Sequence, residues 1–252
     1  MDTTPVRSEQ RGHVRLLTLN RPEKCNAFDN AMYGALTAAL HGGIADRGTR
    51  VLVITGAGDS FCAGQDFSEM RADGDGTHGF PACLQTLIEC DKPIVTAVNG
   101  VGIGLGLTML LHTDVNYIAT GARLRAPFVT LGVVPEAGAS LLLPLLIGQQ
   151  RAAELLFTAR WIDAAESVAL GLTFAVVPPE LLLETALAKA AEIAANPPAA
   201  VQHTKRLLRV WRRPEIFAAR AREDQAFTER LGTPENAEAI AAFFERRPAK
   251  FD

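Results

Sequence analysis

The sequence predicts an α/β fold, a core of alternating strands and helices followed by a helical C-terminal part, and three observations carry the prediction. Short β-branched runs end in glycine-containing turns at VLVIT (51–55) and IVTAVNG (94–100). Stretches with helical spacing lie between such runs. The last third changes to alanine-rich helical segments, DAAESVALG (163–171) and LLLETALAKAAEIAANP (181–197), and the pattern continues to about residue 246.

Taken in order, VRLLTLN (14–20) reads as a strand closed by the turn at Arg21 and Pro22. AMYGALTAAL (31–40) has helical spacing behind a candidate Asp29 cap. VLVIT reads as a buried strand entering the loop GAGDS, IVTAVNG repeats that logic, and DVNYIA (114–119) supplies a further strand. RADGDGTHG (71–79) has three glycines and no apolar anchor, and reads as a loop and candidate lid. No repeat of fixed period is visible.

With 252 residues, 48% hydrophobic and 21% charged, the chain is long enough for one large globular core. A net charge of -3 gives nucleic-acid binding little electrostatic support beyond a local basic face. The N-terminus lacks the apolar core of a signal peptide, and SLLLPLLIG is far short of a membrane span, so a soluble, cytoplasmic protein is expected. Cys25, Cys62, Cys83 and Cys90 form no CxxC pair and are expected to be reduced thiols. His13, His41, His78, His112 and His203 have no metal-ligand spacing, so no metal site is expected.

Two segments suggest backbone chemistry. GVGIGLG (100–106) fails the dinucleotide fingerprint, because the position five places after Gly100 is Leu105 and after Gly102 is Leu107. Glycines after a strand still allow backbone N–H groups to face an anion, or simply let a helix pack tightly on a sheet. FCAGQD (61–66) is a second such loop. If the two converged on one oxygen, they would stabilise an oxyanion, each donor contributing about 3 kcal/mol. Cys62, inside that loop, is also open to reading as a nucleophile, although no motif histidine activates it.

These motifs come in the order found in the crotonase superfamily, also called the enoyl-CoA hydratase/isomerase family, which the chain resembles over nearly its whole length. The carrying residues are NRPEKCNAFD (20–29), VLVITGAGDSFCAGQDFSEM (51–70), KPIVTAVNGVGIGLGLTMLLHTDV (92–115), LGVVPEAGAS (131–140), AAELLFTARWIDAAESVALGL (152–172) and RRPAKF (246–251). The resemblance implies a spiral core of ββα units over residues 1–195 and a helical trimerisation region over residues 196–252. It further implies homotrimers or hexamers and acyl-CoA thioester substrates, with coenzyme A entering as part of the substrate and no separate cofactor. Membrane and nucleic-acid partners are not expected.

By motif position the resemblance puts the two thioester-oxygen donors at the backbone N–H groups of Gln65 and Leu105. The second loop departs from the family's usual GGG. It also puts Ala63, Gly64, Asp66 and Phe67 along the acyl-CoA path, Arg21 and Lys24 near the coenzyme A phosphates, and Lys250 and Phe251 in a contributing tail. Asp66 is equally open to capping a helix. Where the hydratases carry glutamates, this chain has Thr108 and Phe128, which are assigned to the pocket. Neither can hold and deprotonate water or deliver a proton.

Glu136 stands where the Δ3,Δ2-enoyl-CoA isomerase branch carries its glutamate, and one carboxylate suffices to move a proton from C2 to C4. If Phe128, Val133, Val134 and Ala137 surround it, its pKa is expected to rise. On local evidence Glu136 also reads as an acid at a helix N-terminus. Other readings stay open: an aryl-CoA isomerase or hydratase, a dehalogenase in which Glu136 attacks the substrate, or a non-catalytic acyl-CoA binder. The basic stretch KRLLRVWRRPEIFAARAR (205–222) is expected to be a solvated helix packed through Leu207, Leu208, Val210 and Trp211, with a nucleic-acid or membrane face as the alternative.

Overall fold

The computed structural model describes residues 4–66 and 79–251. β1 (Val6–Arg11) pairs antiparallel with β2 (Val14–Leu19), and α1 (Asn30–Ala45) follows. The Asp29 carboxylate accepts the Met32 N–H at 2.7 Å and caps α1, as its position predicts. Next come β3 (Val51–Gly56), β4 (Ser60–Cys62) and α2 (Phe80–Glu89), then β5 (Ile94–Val98), β6 (Val101–Ile103) and α3 (Leu105–Thr108). β7 (Val115–Ala119) and β8 (Arg123–Arg125) precede α4 (Ala139–Ile147) and α5 (Gln149–Thr158). β9 (Ile162–Asp163), α6 (Ala164–Ala169), β10 (Ala175–Val177) and α7 (Pro179–Ala194) complete the core. The chain ends in α8 (Pro198–Arg209), α9 (Arg213–Arg230) and α10 (Pro234–Glu245).

The strands divide between two sheets in alternation. One has the order β1-β2-β3-β5-β7-β10 and the other β4-β6-β8-β9. In each pair β3–β4, β5–β6 and β7–β8 the first strand enters the large sheet and the second the small one. The chain therefore winds as a spiral of repeated ββα steps. Apart from β1 and β9, neighbouring strands run parallel. β3 and β5 read as unbroken apolar runs because helices and the second sheet cover both faces, as in other buried parallel strands. α7 lies across β2, β3, β5 and β7 and closes one side. The polar strand β1 sits at the edge with five of its six residues exposed, which is why period and hydropathy give no sign of it.

α8 reverses the expected packing. Leu207 is 73% exposed and Trp211 62%, and Leu208 and Val210 are also open. Two cations of α8, Lys205 and Arg209, turn inward instead. Buried Lys205 donates to Asp114 at 2.6 Å and to the Lys92 carbonyl at 2.7 Å. Buried Arg209 donates to Asp114 at 2.8 Å and to the His112 carbonyl at 2.8 Å. Arg206 and Arg213 both pair with Asp91. Asp114 and Asp91 thus draw the basic face of this region toward the core, and the pairing neutralises part of the basic surface a nucleic acid would need. Among the described residues no helix is long and apolar enough to cross a membrane, and no cluster of three or more metal-ligating side chains occurs.

Candidate active site

Ligands of parallel sheets gather at the carboxyl ends of the strands, and here the small sheet sends three segments to one end. β4 leads into residues 63–66, β6 into residues 104–108, and β8 into residues 126–138. Both predicted donors, the carboxylate and both pocket residues lie in these segments.

The two donor loops touch. A Cβ added to Gly64 would stand 2.8 Å from the Ile103 carbonyl oxygen, and one added to Gly106 would stand 2.3 Å from that of Cys62. Only glycine lets the loops approach so closely, and Gly64 also has φ +86°. The loop at Gln65 bridges Phe28: the Phe28 N–H donates to the Gly64 carbonyl, and the Asp66 N–H to that of Phe28, both at 2.8 Å. This pattern turns the Gln65 N–H away from Phe28. Leu105 opens α3, a single turn whose first N–H groups have no helical acceptor. Among the described residues neither the Gln65 nor the Leu105 N–H donates to a backbone carbonyl.

Glu136 is partly accessible, and among the described residues its carboxylate has no hydrogen-bond or ion-pair partner. Burial pushes its pKa up to about 8, with the charges of Glu223 and Asp224 on α9 adding to the effect. Of the four apolar residues expected around it, Phe128, Val133 and Ala137 are buried in this segment and Val134 is half-buried. Burial likewise pushes the Cys62 thiol up to about 12; the Gly64 N–H opposes this and the Glu136 charge reinforces it. The raised value shows that the Glu136 charge is felt at the end of β4. It also removes Cys62 as a nucleophile, since the thiolate is the reactive form.

Glu136 does not sit on the helix N-terminus. It precedes α4, whose first turn holds no acid, and Ala137 follows it with φ +63°. The carboxylate at that N-terminus is Glu223, which accepts the N–H of Gly138 at 2.5 Å and of Ser140 at 2.8 Å. His112 Nε2 lies 2.7 Å from the Ala137 carbonyl and donates to it. Burial lowers the His112 pKa to about 4, so the ring is neutral at ordinary pH.

Other predicted residues fall nearby in part. Ala63 donates its N–H to the Cys25 carbonyl, tying the first donor loop to the turn after Arg21. The Arg21 guanidinium is already engaged with Asp29, Asp66 and the Ala27 carbonyl. Asp66 is thus drawn to Arg21. Lys24 is exposed. Thr108 is fully buried in α3, and its hydroxyl has no partner among the described residues. Lys250 and Phe251 are exposed, and the Lys250 N–H donates to Glu238 on α10. Phe67, His78 and nearly all of the candidate lid lie outside the described residues.

Sequence reasoning missed Glu223, His112 and Tyr33, whose hydroxyl donates to the Gln65 side-chain oxygen at 2.7 Å. Glu223 did leave a signal. It shares one helical stripe with Ile216 and Ala219, and these three are the buried residues of α9.

The enoyl-CoA hydratase/isomerase family model matches residues 9–252, and the chain belongs to that family. It is an acyl-CoA enzyme of the hydratase/isomerase class. It is 35% identical over 243 residues to 2,3-dehydroadipyl-CoA hydratase of Escherichia coli, covering 94% of each chain. It is 34% identical over 193 residues to 1,2-epoxyphenylacetyl-CoA isomerase of the same organism, covering 73% of this chain and 74% of that one. The crystal structure of an enoyl-CoA hydratase/isomerase from Pseudoalteromonas atlantica superposes with a TM-score of 0.95 at 40% identity, over 98% of this chain and all of that one.

Proposed function

We propose that the protein is a Δ3-to-Δ2 enoyl-CoA isomerase in which Glu136 carries a proton from C2 to C4. The observation that carries this reading is one carboxylate without a partner among the described residues, its pKa raised to about 8, at the same end of the small sheet as two loops whose Gln65 and Leu105 N–H groups donate to no backbone carbonyl among those residues. The thioester oxygen accepts the N–H groups of Gln65 and Leu105. The Glu136 carboxylate removes a C2 proton, the electron pair spreads over a dienolate ending at that oxygen, and the Glu136 carboxylic acid returns the proton to C4. A pKa near the working pH suits a group that must both take and give a proton. Two preorganised donors lower the barrier to enolate formation.

A second reading has its own support. The similarity to 1,2-epoxyphenylacetyl-CoA isomerase favours the same proton transfer on a different, ring-bearing acyl group. Hydration is the weaker reading despite similarity to hydratases, because Thr108 and Phe128 stand where that chemistry needs carboxylates. A non-catalytic binder would leave the raised pKa of Glu136 without a use.

The remaining assignments belong to the same proposal. Lys24 and Lys250 supply exposed cations for coenzyme A phosphates, with Phe251 next to Lys250 in the chain, whereas Arg21 acts by holding Asp66. The exposed Leu207, Leu208, Val210 and Trp211 supply apolar surface for a homotrimer or hexamer. A cytoplasmic location and the use of no cofactor beyond the substrate's coenzyme A complete it.

The test offers a 3-enoyl-CoA and a 2-enoyl-CoA separately to wild type and Glu136→Gln and follows the conjugated thioester by ultraviolet absorbance. Gain of absorbance from the 3-enoyl substrate, lost in the variant, with no loss from the 2-enoyl substrate, is the expected result. Hydration of the 2-enoyl substrate, or full activity of Glu136→Gln, overturns the reading.

A further inference from the structure

We propose that Glu223 is a positioning residue for Glu136, gripping from α9 the turn that presents the working carboxylate. The inference rests on Glu136 being that carboxylate.

The turn is an awkward piece of backbone. Ala137 at φ +63° and Gly138 at φ +75° are consecutive left-handed residues, a conformation that is strained for a non-glycine residue and persists only where the surroundings impose it. Two contacts impose it here. His112 donates to the Ala137 carbonyl, and the Glu223 carboxylate takes the next two available N–H groups, those of Gly138 and Ser140. Glu223 is only 4% exposed. α9 reaches the turn because Gly138 has no side chain: a Cβ there would stand 3.3 Å from Ile216 Cγ2. Ala137, Leu142 and Ile216 pack in the same small apolar cluster, so a rotation of the turn would open it.

A buried carboxylate is an expensive way to close a helix N-terminus, since Ser, Thr or Asn at the cap does so locally. Its charge provides what a neutral cap cannot. Burial raises the Glu223 pKa, while the Gly138 and Ser140 N–H groups favour its ionised form. The ionised group disfavours a second negative charge on Glu136 and so keeps the proton of Glu136 exchangeable near neutrality. Among the described residues the charged and titratable groups around the turn are few. α9 brings Glu223, Asp224 and Arg220, the last two 3.4 Å apart as an ion pair. β4 brings the protonated Cys62 thiol, and the segment before β7 brings neutral His112, which feels the charges of Arg209, Arg212 and Arg220.

The test uses the full chain with carbon-13 in its glutamate carboxyl groups, Glu136→Gln identifying the Glu136 resonance. In wild type that resonance should titrate near pH 8, and in Glu223→Gln its midpoint should fall by a unit or more. The same variant should lose at least tenfold in kcat with KM changed less than threefold, and the rising limb of its pH profile should move to lower pH. A merely structural residue would lower stability without moving either the resonance or the limb. A folded Glu223→Gln with wild-type midpoint and kcat overturns the proposal. Should the variant fail to fold, the wild-type Gly138 and Ser140 amide protons decide. Strongly downfield, slowly exchanging signals uphold the grip, and ordinary shifts with fast exchange overturn it. If the resonance moves as expected while wild type shows no isomerisation, the grip stands and the assigned reaction fails.

Discussion

The donor loops and the Glu136 turn lie at the same end of the small sheet but are held in different ways. The loops after β4 and β6 are fixed by neighbouring parallel strands and by glycines that let Cys62 and Ile103 approach. The turn is held by His112 and by Glu223, the latter 85 positions along the chain from Gly138. Backbone donors need only a rigid path, so side chains there can vary. A carboxylate that must change charge needs a chosen electrostatic setting, and side chains from distant elements build it.

The sharpest break in that comparison removes the carboxylate alone. Glu136→Gln should lower kcat by about 10³-fold, within the usual range for an acid–base group, while thioester binding measured by calorimetry persists. Damage to the donor side should be similar in kind but smaller. Gly64→Ala forces a Cβ to 2.8 Å from a carbonyl at φ +86°, and displacing one donor should cost about 10²-fold in kcat. Steady-state rates at a temperature below the variant's melting point separate that loss from unfolding.

Stability should report the turn through pH. Because the folded pKa of Glu136 is raised to about 8 from its ordinary value of 4.5, the folded protein holds this proton more tightly than the unfolded chain. Its contribution therefore weakens as pH rises from 4.5 through 8. Glu136→Gln should gain on wild type over that window by an amount on the order of 2–4 kcal/mol, reduced by partial solvent access. Urea unfolding at pH 5 and pH 9 measures it; equal differences at both would show an ordinary carboxylate. His112 acts in the opposite direction. Its folded pKa of about 4 lies below its ordinary value, so stability falls as pH drops from 6.5 toward 4. His112→Gln should flatten that acid limb and cost about 1–2 kcal/mol at neutral pH through the lost bond to Ala137. Smallest of all, Lys24→Ala should raise KM a few-fold at low salt with kcat unchanged, since an exposed cation contributes mainly screened attraction.

Much of the fold was legible because local chemistry agreed with it. Continuous apolar runs marked β3 and β5, Asp29 marked the start of α1, and the glycines at 64, 104 and 106 marked the predicted donor loops. The ββα repeat was not legible. Its second strands, β4, β6 and β8, are three residues long, too short to show a period. α8 was read backwards, because hydropathy assigns leucines inward, and only the positions of Asp114 and Asp91 show that its cations are drawn in.

By itself the sequence determined the α/β class and the family, and it marked Glu136, Thr108 and Phe128 as the positions on which the proposed reaction turns, because these are matters of residue identity and short-range spacing. Tertiary structure alone decided that the donor loops touch, that Cys62 is inert, and that the helix end near Glu136 belongs to Glu223. Those outcomes depend on desolvation and charge pairing between segments far apart in the chain, which no local pattern encodes.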